Sequence, residues 1–235
     1  MNDSALFIST LNEIEALGKI FDIIPVSEFD EVYALDGGST DGTVDFFQEH
    51  GIKVIPGIKK GAIFNAGAMN TEREYLVFFA PDGNEDPEDI LRLLGKLKEG
   101  CDMVIASRFM KESKNEEDEL VFKWRAWANR AFTLLVRLRW GGRLTDTING
   151  FRSVRRSKLF EMNTEPTGFD IEFQMSIRGL KLGHRIYEIP TIEGGRAGGE
   201  STAYSFPTGW LMLKRYCREL FSGLPAPAGE KLRLE

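Results

Sequence analysis

Between Leu76 and Ile90 the chain reads LVFFAPDGNEDPEDI, four apolar residues running directly into a cluster of carboxylates and one amide. A buried parallel strand delivers polar groups to the carboxyl edge of a sheet in this way. Asp82, Asn84 and Asp86 supply the hard oxygen ligands that Mg2+ or Mn2+ takes. Pro87 suits the first turn of the next helix, and Asp86 suits its cap.

Similar strand ends recur upstream. Ala5 to Ser9 is a short apolar strand running into Thr10-Leu11-Asn12-Glu13 and a helix over Glu13 to Phe21. Asn12 either faces a ligand crevice or caps that helix. Val32 to Leu35 runs into DGGSTDGT, which begins at Asp36. Its paired glycines permit close backbone approach, and its carboxylates can accept bonds from a base or ribose; the alternative is a turn in which Ser39 or Thr40 caps the following helix. After a third strand, Ile52 to Ile55, Lys59 and Lys60 open a segment over Ile63 to Met69, where they either attract phosphate or stay solvated. Strand Asp102 to Ala106 ends at Ser107-Arg108, and an arginine so placed can grip a diphosphate bidentately. This recurrence of strand, polar turn and helix predicts an α/β fold, a doubly wound and mostly parallel sheet with its site along one edge.

The chain's 235 residues, 42% of them hydrophobic, suffice for one domain with a real core. A formal net charge of −6 argues against nucleic acid as the main partner. The N-terminus lacks the pattern of a secretory signal, and no run approaches the roughly 20 apolar residues of a membrane span. Two isolated cysteines, Cys101 and Cys217, fit a reducing cytoplasm rather than a disulfide framework.

Beyond Lys111 to Glu119, a polar segment suited to a lid, the character of the chain changes. In Leu120 to Trp140, the residues Leu120, Trp124, Trp127, Ala131, Leu134 and Leu138 form one apolar stripe at helical spacing, edged by Lys123, Arg130 and Arg137. From Val121 to Phe160 there are ten Lys or Arg residues and one acid, Asp146. Such a helix either lies at a phospholipid surface or packs on the core with its arginines in water. In the turn from Thr145 to Arg152, Asp146 either pairs with an arginine or faces a second substrate. Gly168 to Phe173 begins a helix with Glu172 in its first turn, where the dipole favours an acid whatever its role. Arg185 to Ile189 is a last strand. The loop from Gly194 to Ser201, rich in glycine around Arg196, either closes over a phosphate or is an ordinary surface loop. A terminal helix sets Trp210, Leu213, Cys217 and Leu220 on one face.

The set STLNE, DGGSTDGT, PDGN with DPED, ASR, DTINGFR, FDIEFQ and RAGGES, in this order from Ile8 to about Glu219, resembles glycosyltransferase family 2. Within that family it resembles the polyprenyl-phosphate sugar synthases of the dolichyl-phosphate mannose synthase kind. The resemblance implies a GT-A fold, a GDP- or UDP-linked sugar donor, Mg2+ or Mn2+, and inversion at the anomeric carbon. By matching positions it implies that Thr10, Asn12, Glu13 and Asp36 line the nucleoside pocket and that Arg108 holds a donor or acceptor phosphate; Lys60, from the lysine pair, is assigned to the donor as well. Asp82 matches the second carboxylate of an Asp-x-Asp motif, and Asn84 matches a metal-binding glutamine. Arg125 and Arg196 match arginines at donor or acceptor phosphates, with Ser201 assigned beside them, and Asp146, Arg152 and Glu172 fall on the acceptor side. Ala80 stands in place of the first aspartate, so the metal site has one carboxylate fewer and is expected to bind its ion weakly until the donor arrives. Thr202 stands where a lysine is usual.

We therefore expect one domain over residues 1–222, with a donor half at about 1–110 and an acceptor half at about 120–222, then a disordered tail over 223–235. The expected reaction is sugar transfer onto a polyprenyl phosphate at the cytoplasmic membrane surface, by a protein bound there peripherally. A lipid phosphate arrives anionic and needs no strong base, whereas a glycan hydroxyl would need Asp146 or Glu172. The rival readings are a glycan acceptor, or a silent sugar-nucleotide-binding subunit.

Overall fold

In β1 (Ser4–Thr10), Leu6 and Ile8 face one side of the sheet while Ala5 and Phe7 face the other, and all four are buried. Apolar residues on both faces are what a central parallel strand requires. The computed structural model describes residues 3–115, 124–165, 168–195 and 205–225. After β1 come α1 (Ile14–Ile20), β2 (Glu31–Asp36), α2 (Thr43–Glu49), β3 (Lys53–Ile55), α3 (Ile63–Met69), β4 (Tyr75–Phe79), α4 (Glu88–Lys98) and β5 (Met103–Ser107). The second half holds α5 (Trp124–Trp140), β6 (Arg152–Arg155), α6 (Arg156–Met162), α7 (Ile171–Lys181), β7 (Ile186–Pro190) and α8 (Ser205–Phe221).

The seven strands form one sheet in the order β3-β2-β1-β4-β6-β5-β7. All pairings are parallel except those of β6, which runs antiparallel between β4 and β5. This inserted strand was not foreseen; its sequence, RSVR, carries two arginines in four residues. Its direction matters, because the start of β6 lies at the same edge as the ends of β1, β2, β4 and β5. The turn preceding Arg152 therefore joins the polar strand ends.

Residues of α1, α2 and α4 pack on one face of the sheet, around Leu17, Phe47, Ile90 and Leu93. Residues of α3, α6 and α7 pack on the other, around Phe64, Leu159, Ile171 and Met175. The far side of α7 presents Phe173 and Ile177 to Val136 of α5 and Met212 of α8. Buried charges clasp α8 to α7: Glu219 accepts from Arg178 at 2.8 Å and from Lys181 at 2.8 Å, and Arg215 donates to Asp170 at 2.6 Å.

The burial of α5 shows which of its faces packs on the core. Its inward face is Ala126, Thr133 and Val136. The apolar stripe points the other way, with Trp124 45% exposed, Trp127 53%, Leu134 52% and Leu138 75%. Trp210, Leu213 and Cys217 of α8 are exposed as well, so the face read from the sequence is not the one that packs. Leu120 and Lys123, and 116–119 of the expected lid, fall outside the described residues. Among the described residues no helix is long and apolar enough to cross a membrane.

One close contact sets a limit on the core. A Cβ at Gly67 in α3 would stand 2.7 Å from Cε1 of Phe78 and 3.3 Å from Cδ1 of Phe7. Gly67→Ala should lower stability by about 1–3 kcal/mol, because both rings are locked in the core and the gain in helix propensity is smaller than the overpacking cost. Urea unfolding should give a lower midpoint at unchanged slope; an unchanged midpoint would show that the rings yield.

Candidate active site

The first two polar turns are stitched to each other. Thr10 and Asp36 are register partners at the ends of β1 and β2. Asp36, 2% exposed, accepts the amides of Gly38 at 2.8 Å and Ser39 at 3.1 Å. Asn12, at φ 57, accepts the Thr40 amide at 2.8 Å and donates its own amide to Ser39 Oγ at 2.9 Å. The α1 amide of Ile14 is received by Asp41, which also accepts the Thr43 amide at the start of α2. The expected caps, Asn12 for α1 and Ser39 or Thr40 for α2, are therefore corrected: Asp41 serves both helices, because each turn reaches the other's orphan N–H groups. The Glu13 amide donates to Thr43 Oγ1. Thr10 Oγ1 is buried without a hydrogen-bond partner.

Further along the edge lies a cavity of about 510 Å³ with two unlike walls. One wall is polar: Lys60, Asp82, Asn84, Glu85, Arg108, Asn149, Glu172 and Glu193. The other is apolar, formed by Trp124, Ala128 and Phe132 of α5, by Ile148 and Phe169, and by Trp210, Met212 and Leu213 of α8. Arg125 lines it too. Residues distant in sequence, expected separately as donor and acceptor groups, thus share one space. Arg196 and Ser201 lie outside the described residues.

The turn after β4 is folded on itself. Asp82 Oδ1 accepts the Asn84 amide at 3.0 Å, Gly83 adopts φ 87, and Asp86 accepts the Glu88 amide at 3.0 Å at the start of α4. Asn84 Oδ1 is buried without a hydrogen-bond partner, as an oxygen awaiting a cation would be. With Asp82 beside it, the residues present fit a divalent metal. Among the described residues no group of three His, Cys, Asp or Glu side chains is arranged as a metal cage, so any ion here needs an amide oxygen or the donor to complete its shell.

Lys60 Nζ lies 3.0 Å from Glu172 Oε1. Burial works against the lysine's charge, but Glu172 holds its pKa above the ordinary value. Arg108 grips Asp146 through Nε at 2.7 Å and Nη2 at 3.1 Å. Asp146 has no exposure and also takes the amides of Ile148 and Asn149. Burial opposes its charge, yet Arg108 and the amide of Ile148 hold its carboxyl below the usual range. The expected role of Asp146 as a base is therefore corrected: it is walled off from the cavity and its proton affinity is low, so it anchors Arg108 and the turn.

Arg152 also differs from expectation. It is completely buried and donates to Asn149 O at 2.8 Å, Glu172 O at 3.0 Å and Ser176 Oγ at 3.3 Å. Desolvation lowers its pKa to about 10, which leaves it charged at neutral pH. It supports the cavity from behind and does not reach a phosphate.

Glu85 and Glu188 were missed. Glu85 follows PDGN directly, and burial, then the charge of Asp82, pushes its carboxyl well above the usual range. Glu188 is an acid inside an otherwise apolar strand, the one signal that marked it. It accepts the amides of Thr145 and Asp146, each at 2.8 Å, and so sets the turn that carries Asp146.

Residues 5–161 match Glycosyl transferase family 2. The chain belongs to that family. It is 32% identical over 212 residues to an undecaprenyl-phosphate mannosyltransferase of Micrococcus luteus, covering 83% of this chain and 84% of that one. It is 29% identical to glycosyltransferase AglJ of Haloferax volcanii over 82% of this chain, and spans 63% of that protein's length. Against a dolichol-phosphate mannosyltransferase of Pyrococcus furiosus it is 28% identical over 84% of this chain, and spans 58% of the relative. In fold it matches glucosyl-3-phosphoglycerate synthase of Mycobacterium tuberculosis in complex with Mn2+, UDP and glucosyl-3-phosphoglycerate, with a TM-score of 0.73 at 20% identity over 95% of this chain and 81% of that one. The fold is GT-A, as expected from the motifs.

The environment of Glu188 has a pH signature. Burial raises its carboxyl to about 7 despite the two amides it receives. A raised carboxyl pKa means that its favourable contribution is complete below the unfolded value near 4.5 and is lost as pH climbs through about 7. Glu188→Gln keeps an acceptor and cannot ionise. Between pH 5 and pH 8 the wild type should lose on the order of 1–3 kcal/mol relative to this variant. Parallel thermal-unfolding curves across that range would contradict the assignment.

Proposed function

We propose that this protein is an inverting glycosyltransferase that moves a sugar from a GDP- or UDP-linked donor onto a polyprenyl phosphate, working at the cytoplasmic face of a membrane. The single cavity with one charged and one apolar wall carries the reading. A lipid phosphate has the same two-part character, and the apolar wall continues outward through α5 and α8 into exposed Trp and Leu side chains. Relatives named as polyprenyl-phosphate mannosyltransferases support the same acceptor class. Cys101 and Cys217, both free, fit the reducing side of that membrane.

Each residue then has a task. Thr10, Asn12, Glu13 and Asp36 line the nucleoside end in the donor half, about residues 1–110. Asp82 and Asn84 hold a divalent cation, Mg2+ or Mn2+, which supplies positive charge against the departing diphosphate. Lys60 and Arg108 face the diphosphate from the polar wall, Lys60 as a point charge and Arg108 in an orientation set by Asp146. Arg125, which also lines the cavity, meets the acceptor phosphate, and Arg196 and Ser201 are assigned to the same phosphates by their motif. An acceptor that is already anionic attacks without a general base. A glycan hydroxyl is the second reading, favoured by Glu172: its carboxylate lines the cavity, where it could take a proton.

Asp82→Ala should reduce sugar transfer by about 100-fold or more, since it removes the fixed carboxylate of the cation site. Transfer of radiolabelled sugar to a short polyprenyl phosphate measures this, and undiminished turnover would remove Asp82 from the chemistry. Membrane contact has its own assay. Binding to anionic vesicles should weaken with added salt. Leu138→Glu, on the outward face of α5, should reduce it about tenfold or more by taking one leucine out of the lipid. Equal co-sedimentation of variant and wild type would reject the α5 surface.

A further inference from the structure

The turn after β4 carries a carboxylate that the family motif does not call for. The motif's first aspartate is replaced by Ala80, which has no side-chain oxygen to offer. Glu85, five residues on, curls back over the turn, and its Oε2 accepts the backbone amide of Ala80 at 2.7 Å. The carboxylate is thereby held beside the backbone of residue 80. Ala80, Asp82, Asn84 and Glu85 all line the same cavity.

Resting on the donor-site reading above, we propose that Glu85 replaces the missing first carboxylate of the metal motif. The site is then not a weakened one with a single carboxylate, but one whose second carboxylate has moved along the chain. Three observations support it independently of activity. The Ala80 amide fixes where the Glu85 side chain ends. Asn84 Oδ1 sits buried without a partner in the same turn. Lys60, whose charge acts on Glu85, also pairs with Glu172 at 3.0 Å and so is shared between two carboxylates. Two carboxylates turned toward one low-dielectric space repel unless a cation joins them. Asp82, Asn84 and Glu85 together offer two charged and one neutral hard oxygen ligand, and donor phosphate oxygens with water would complete the six-fold shell that Mg2+ or Mn2+ takes.

The test is Mn2+ titration of the whole protein with GDP or UDP present, followed by electron paramagnetic resonance of the free ion. Glu85→Gln keeps an oxygen for the Ala80 amide and removes the charge; thermal unfolding verifies that it folds. It should weaken Mn2+ binding tenfold or more, and Ala80→Asp combined with Glu85→Gln should recover most of that loss. Unchanged Mn2+ affinity in Glu85→Gln would overturn the proposal, and weakening without recovery in the double variant would overturn the equivalence of positions 80 and 85. Wild-type protein that binds the nucleotide but never Mn2+ would overturn it while leaving the donor site standing. Binding of neither would remove both.

Discussion

One buried guanidinium holds the two halves of the site together. Arg152 begins β6, the strand that enters the sheet in the opposite sense to its neighbours, and its side chain reaches the carbonyls of Asn149 and Glu172 and the hydroxyl of Ser176. Those bonds fix the turn before β6 and the first turns of α7 to the sheet. Ser176 also donates to Thr147 O at 2.8 Å, closing the loop of contacts. A buried cation without such partners would be strongly destabilising, so the guanidinium tolerates few alternative arrangements around it. Asn149 and Glu172 line the cavity because Arg152 holds their backbones.

From that anchor the two-walled shape follows. The polar wall belongs to strand ends, whose directions the sheet dictates. The apolar wall belongs to α5 and α8, which pack on α7, and their attachment is a small apolar cluster reinforced by buried ion pairs such as Arg178 with Glu219. A buried pair of this kind contributes less to net stability than to register, since desolvation offsets much of its attraction. It suits a helix whose outward face must remain apolar while its inward face stays in one place.

Much of this fold was legible in the chain. Apolar runs ending in polar residues marked β1, β2, β4 and β5, because a parallel strand is buried on both sides and its end is not. RSVR was illegible as a strand: the partners that satisfy Arg152 are carbonyls brought from α7 and from the preceding turn, which no local pattern reveals. Periodicity grouped Trp124, Trp127, Leu134 and Leu138 correctly, but period tells which residues share a face and not where that face points. Asp146 and Glu172 stood together in the sequence as candidate bases. Only packing separates them, one sealed against Arg108 and the other open to the cavity.

The root of the chain that leads toward Arg196 is fastened to the turn after β4. The amide of Gly194 donates to Asn84 O at 2.9 Å, and a Cβ at Gly194 would stand 2.8 Å from Gly83 O. No larger residue fits without separating the two backbones. A ligand that shifts Gly83 and Asn84 must therefore carry Gly194 with it, and a ligand that draws on Gly194 must pull on the turn. The position of the turn after β4 is thus read out at Gly194 through one peptide hydrogen bond and one missing methyl group.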